Sequence, residues 1–114
     1  MMRHLGRDTR IAEVVRGERA AGRQVEVVPA GADKTESLRL FAEVLGFPSY
    51  FGHNLDALAD SLTDHVGTRA GEWSLIWDGA RGLRASDEAT YAAIDDILGD
   101  LANDSGVHVT VIDR

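Results

Sequence analysis

Apolar positions along the 114-residue chain recur with two periods, helical in some stretches and strand-like in others. Residues 9–21, TRIAEVVRGERAA, set Ile11, Val14 and Val15 at helical spacing among Arg and Glu. This predicts a short amphipathic helix, weakened by Gly17. QVEVVPA is a compact apolar run stopped by Pro29 and reads as a strand. In GADKTE, Asp33 and Glu36 have the spacing of an N-capping box. The helix it opens, KTESLRLFAEVLG, carries Leu38, Phe41, Val44 and Leu45 on one buried stripe and ends at Gly46. FPSYFGH is a loop marked by Pro48 and Gly52, and a further helix runs from an Asn54 cap to about His65. GTRAGE is a turn, and WSLIWDG is a second strand bounded by glycines. ASDEATYAAIDDILGDLANDSG predicts a long helix capped by Ser86, with Asp87 and Glu88 in its first turn, where the helix dipole favours anions. Its Ile94, Ile97, Leu98 and Leu101 form one stripe, Gly106 stops it, and VHVTVI is a third strand.

Strands separated by helices predict an α/β fold with a small three-stranded parallel sheet, packed by helices fully on one face and partly on the other. Residues 1–23 read as a basic helical extension, docked on the body or free as a partner-binding arm, and residues 24–114 as the main domain. No internal repeat or low-complexity linker divides the chain. A chain of this length buries roughly two-thirds of its unfolded surface, enough for one core without staples. There is no cysteine, which excludes disulfides and thiolate metal sites. No apolar run approaches the ~18 residues that span a bilayer. RHLGRDTRIAEVV is too interrupted by charge for a secretory segment, and Asp8, Glu13 and Glu18 argue against a transit peptide. The expected location is the cytoplasm.

Charge changes the picture. The formal net charge is −7, but residues 1–23 hold six Arg against three acids, while residues 24–114 hold six basic groups against sixteen acids. An acidic body repels nucleic acid and attracts basic partners.

Several motifs invite chemistry and fail on their details. GADKT sits between strand and helix as a phosphate-binding loop does, but Asp33 precedes Lys34 where that loop needs Gly. His4, His53, His65 and His108 show no metal-ligand spacing. Asp56 and Asp60, ~6 Å apart on a helix surface, have a separation open to metal binding or paired-carboxylate hydrolysis. A small metal-dependent hydrolase using these two is thus one alternative. Against it, hard cations recruit more oxygens from a shaped loop, and exposed aspartates make poor acids at neutral pH.

The segment YFGHNLDALADSL is the most informative. At about 100° per residue, Leu55, Leu58 and Leu62 share a narrow inward sector, leaving Asp56, Ala59, Asp60 and Thr63 outward with Asp64 at the edge. A like-charge pair four residues apart costs a few tenths of a kcal/mol, with no Lys or Arg nearby in sequence to offset it. The face is either an ordinary solvated surface or an anionic ridge for a partner. Small Ala59 and Thr63 allow close approach, and Tyr50 and Phe51 lie beside the acids, as aromatics do at interfaces.

FPSYFGHNLDALADSLTD resembles the core segment of the barstar family, intracellular inhibitors of secreted microbial guanyl-specific ribonucleases. The pattern is a proline, a Tyr-aromatic-Gly turn, then Asn-Leu-Asp-Ala-Leu and a second Asp four residues after the first. KTESLRLFAEVLGFP resembles the family's first helix, WSLIWDG its second strand, and the helix ending in SGVHVTVI its last helix and strand, so the likeness covers about residues 24–114. It implies a barstar-like fold with no catalysis and no cofactor or metal; nothing in the sequence requires a dimer, and the free chain is expected to be a monomer. The likeness implies a 1:1 complex in which the acidic helix and its loop fill the enzyme's cationic groove, with no direct nucleic-acid or membrane contact. Asp60 would be the principal anion. Tyr50, Gly52, Asn54, Asp56 and Thr63 would make surrounding contacts, with Phe51, Ala59 and His65 at the same surface. Ala59 and His65 stand where the best-known member has aromatics. Another basic protein or nuclease toxin is the alternative target.

Overall fold

In a computed structural model of the chain, residues 1–48, 53–68 and 71–114 are described. Their elements run in the order β1 (Met2–Leu5), α1 (Ile11–Ala20), β2 (Gln24–Pro29), α2 (Lys34–Leu45), α3 (Leu55–Gly67), β3 (Trp73–Asp78), α4 (Arg81–Ser86), α5 (Glu88–Ser105) and β4 (His108–Ile112). The strands form one parallel sheet in the order β1-β4-β3-β2. Each crossover through a helix returns the chain to the same end of the sheet, which makes neighbouring strands parallel. The sheet has four strands, not the three read from the sequence. The extra one is MRHL, which lacks apolar alternation because Arg3 and His4 interrupt it. It is drawn in by the open edge of β4, in register from Met2↔Val109 to Leu5↔Ile112.

Strand order dictates the layers. The passage from β1 to β2 crosses the whole sheet, and β2 to β3 to β4 steps back the other way. With right-handed crossovers, reversing direction moves the connecting helix to the other face. Strand alternation bears this out. Trp77 packs 6.1 Å from Phe41 of α2 and 5.6 Å from Tyr91 of α5, and Trp73 packs 5.4 Å from His65 of α3. Ser74, between the two tryptophans, faces α1 instead, where its hydroxyl donates to Glu18 at 3.1 Å.

The larger core lies between the sheet and the α2, α3 and α5 layer. Leu38, Phe41, Leu58, Leu62, Leu75, Trp77, Ile94 and Leu98 are buried there, each aliphatic side chain contributing about 2 kcal/mol. Val44, expected on this stripe, is instead 39% exposed, because the turn of α2 carries it past Phe41 and Leu45. The helix ends follow their caps. Asp33 and Asn54 accept from the backbone N–H of Glu36 and Ala57, both at 2.8 Å. Gly46 closes α2 at φ 69°, a left-handed conformation that a side chain resists. The last helix differs from its sequence reading: Ser86 ends the separate short helix α4, and Asp87 caps α5 by accepting from the N–H of Thr90 at 3.1 Å. A second acceptor oxygen, taking the Thr90 hydroxyl at 2.7 Å, makes Asp87 the better cap. No helix among the described residues is long and apolar enough to cross a membrane.

Glu18 pins α1 to the back of the sheet. Its side chain is 6% exposed, paired with Arg23, bonded by Ser74 and 3.7 Å from Arg3, whose Nε donates to Thr110 of β4. Burial pushes the Glu18 pKa up, but the hydrogen bonds from Arg23 and Ser74 and the charges of Arg23 and Arg3 outweigh it, and the net shift is downward from 4.5. The stabilisation is therefore present above the unfolded value and is lost as pH falls through the lower folded value. Glu18→Gln is expected to cost about 3 kcal/mol at neutral pH, because it leaves Arg23 without its buried carboxylate and with only the exposed Glu72, 3.7 Å away. Urea unfolding measures this, and the variant should lose less additional stability than wild type below pH 4.5. A cost under about 1 kcal/mol would mean that the cluster does not anchor α1.

Candidate functional site

α3 is set by its start and its buried stripe. His53 enters it at φ 49°, a left-handed conformation uncommon outside glycine, and Asn54 then caps the helix. Leu58 and Leu62 are completely buried, and Leu55 is half-buried. This turns Asp56, Asp60, Thr63 and Asp64 to solvent, with Ala59 half-buried among them. The Thr63 hydroxyl donates to the Ala59 carbonyl at 3.0 Å, occupying its polar group within the helix. Among the described residues, none of Asp56, Asp60 and Asp64 has an ion-pair or hydrogen-bond partner. Of the molecule's own cations, Arg39 pairs with Glu43, Arg23 with Glu18 and Arg114 with Asp78, while Arg16 and Arg19 lie on α1, on the other side of the sheet. No three His, Cys, Asp or Glu of the described residues converge into a metal-holding group, so Asp56 and Asp60 gain no third ligand there.

α5 lies beside α3 and enlarges the acidic surface. Ala59, Leu62 and Thr63 of α3 face Ile97, Asp100, Leu101, Asp104 and Ser105 of α5 across a groove of about 320 Å³. The groove has an apolar floor and an acidic rim, for Asp100 and Asp104 are exposed and also have no partner among the described residues. Asp95, one turn further back, is instead 2.6 Å from His4 of β1. The anionic field thus spans two helices, and a low-dielectric wall beneath such charges sharpens their attraction for a cationic surface.

Over residues 27–113 the sequence matches the family model described as barstar (barnase inhibitor). The chain belongs to the barstar family. No curated relative matches it. Barstar-family proteins are inhibitors rather than enzymes, and ribonucleases such as barnase are their partners. The matched span begins inside β2, so the β1–α1 unit precedes it.

Of the interface residues expected for a barstar-family chain, Tyr50, Phe51 and Gly52 lie outside the described residues. Asn54, Asp56, Ala59, Asp60 and Thr63 come together at the outer surface of α3. His65 does not join them. Its side chain is 13% exposed, its Nε2 lies 3.1 Å from Glu26 of β2, and its ring meets Trp73 and Phe47 edge-on at 5.4 and 6.2 Å. Nine residues after Asp56 the helix has made two and a half turns, which puts His65 on the opposite side. Asp104 lies outside the interface expected from the sequence, although Asp96, Asp100 and Asp104 repeat the four-residue spacing of Asp56 and Asp60. That spacing was a legible signal, but only the packing of α5 against α3 brings two of these acids to the same groove.

Burial lowers the His65 pKa from 6.5. Below pH 6.5 the unfolded chain takes up a proton that the folded one resists, so folding stability falls with pH until the folded value is reached. His65→Gln keeps a donor for Glu26 and removes the titration. Thermal unfolding between about pH 5 and 7 should show the wild-type midpoint falling relative to that of the variant as pH decreases. Parallel curves would contradict the assignment.

Proposed function

We propose that this chain is a proteinaceous ribonuclease inhibitor that blocks the cationic active-site groove of a secreted microbial ribonuclease in a 1:1 complex. It acts in the cytoplasm, free of cofactor, metal and bound nucleic acid. The observation that carries this reading is the row of exposed carboxylates on α3 that no cation of the described residues neutralises. A ribonuclease groove is built to hold a polyanion, and an anionic ridge on a rigid helix meets the same arginines and histidines without presenting a scissile bond. Asp60 takes the central place, with Asp56 beside it. Asn54 at the cap of α3 and Ala59 and Thr63 on it border them, and Tyr50, Phe51 and Gly52, which precede the helix in sequence, supply the remaining contacts to the enzyme. His65 supports this surface from behind, since its packing against Trp73 and Phe47 holds the end of α3 on the sheet. Asp100 and Asp104 extend the ridge, and the groove they border with Ala59 has space for a side chain of the enzyme.

The charge is placed for speed. Like-signed charge spread over one face steers a cationic partner into contact and raises the association rate. The free inhibitor pays a small price, a few tenths of a kcal/mol of repulsion along α3, which the enzyme's cations relieve on binding.

The purified protein is expected to protect RNA from at least one member of a panel of guanyl-specific ribonucleases, in a stoichiometric assay. Failure against the whole panel would refute the proposal. With a responsive enzyme, Asp60→Ala should raise the inhibition constant at least about 30-fold, the scale of losing one partner of a buried charge pair in complexes of this kind. Urea unfolding of the free variant should be unchanged or slightly improved. In stopped-flow measurements, raising salt from about 20 to about 300 mM should slow association far more than dissociation, since the field is screened at shorter range.

A further inference from the structure

Exposed aspartates and exposed arginines gather on opposite sides of the sheet, although α1 also carries the exposed Glu13. The acidic field of α3 and α5 lies on one side of the sheet and α1 on the other. α1 carries a groove of about 550 Å³ shared with β2, lined by Ile11, Ala12, Val15, Val27, Arg16 and Arg19. Ile11, Val15 and Val27 are only half-buried, so the chain's own fold leaves this apolar floor incompletely covered. Arg16 and Arg19 are exposed at its rim and make no ion pair or hydrogen bond through their side chains among the described residues. The inward side of the same helix is fully engaged, through Glu18 with Arg23, Arg3 and Ser74.

We propose that the α1–β2 groove receives the acidic α3–α5 face of a second copy of this chain. The complementarity is direct. Two arginines beside an apolar floor face a surface on which Asp56, Asp60, Asp100 and Asp104, uncompensated among the described residues, flank small Ala59 and Thr63. The sheet lies between the two surfaces, so one molecule cannot close the contact on itself. The contact is heterologous, head to tail, and each added copy leaves one free surface of each sign, so assembly grows with concentration instead of stopping at a dimer. Rim charges make it weak and salt-sensitive, so that dilute protein is monomeric. The inference does not depend on the inhibitor reading. If both hold, the acidic face is taken by enzyme or by the next copy, and association stores the inhibitor in a form that a steered, tighter partner displaces.

Sedimentation velocity on the full chain tests this. At roughly 0.5 mM protein and about 20 mM salt the mean mass should rise continuously above that of the monomer, and at about 300 mM salt it should return to it. Arg16→Glu/Arg19→Glu and Asp56→Arg/Asp60→Arg, each with an unchanged circular dichroism spectrum, should remain monomeric alone. Mixing the two variants should restore association, because each supplies the sign that the other has lost. A monomer under all these conditions would overturn the proposal, as would association that survives in either variant alone. So would a monomer that binds RNA oligomers or anionic vesicles through Arg16 and Arg19, since the groove would then belong to a polyanion. None of these readings requires a ribonuclease, so failure here is distinct from failure of the inhibition assay.

Discussion

The burial of Leu58 and Leu62 governs the candidate site. Both side chains are completely buried in the core beneath α3, and they stand one helical turn apart. Two such anchors leave α3 no freedom to roll, so every other position on the helix has its direction settled. Rotating Asp56 or Asp60 toward the core would expose leucine and bury a carboxylate, each unfavourable by several kcal/mol in the absence of a cation. The acids therefore stay outward despite their mutual repulsion. A rigid rod is also what a competitor for a polyanion site requires, because ordering a flexible segment on binding would consume part of the affinity.

Two further features make that rod part of a larger surface. Asn54 satisfies the first turn of α3 from its own side chain, so the helix begins at a defined point. α5, held against the sheet by Ile94 and Leu98, runs alongside and contributes Asp100 and Asp104. Small residues at Ala59 and Thr63 leave a hollow between the helices where a bulkier residue would fill it. The site is thus less a single acidic helix than an acidic groove with an apolar base.

The N-terminal unit answers a different physical problem. A parallel sheet with helices on one face alone leaves apolar and polar groups bare on the other, including Ile76, Ile112, Ser74 and Thr110, all of which are buried here. β1 pairs with the edge of β4, and α1 then crosses behind the sheet to reach β2. The buried carboxylate of Glu18 ties this layer down through Arg3 of β1, Ser74 of β3 and Arg23 before β2. The family match starts after this unit, yet its side chains are interlocked with strands inside the matched span.

Much of this was written locally. The helices over Leu38 to Leu45 and Leu55 to Leu62 follow from spacing, their starts from Asp33 and Asn54, and their outward acids from the same periodicity, since each depends only on residues within a turn or two. The strand MRHL was not legible, because a short edge strand exists through its neighbour's unpaired backbone and not through a pattern of its own. The sequence pointed to Ser86 as the cap of the last helix, and the bonds from Thr90 give that place to Asp87. His65 belongs to the helix that carries the site but faces Glu26 and Trp73, partners far away in sequence. The chain alone determined which residues share a face. Which faces meet, which charges remain unpaired and how two acidic helices border one groove were decided by tertiary packing, because Coulomb interaction and burial depend on distance in space and not on separation along the chain.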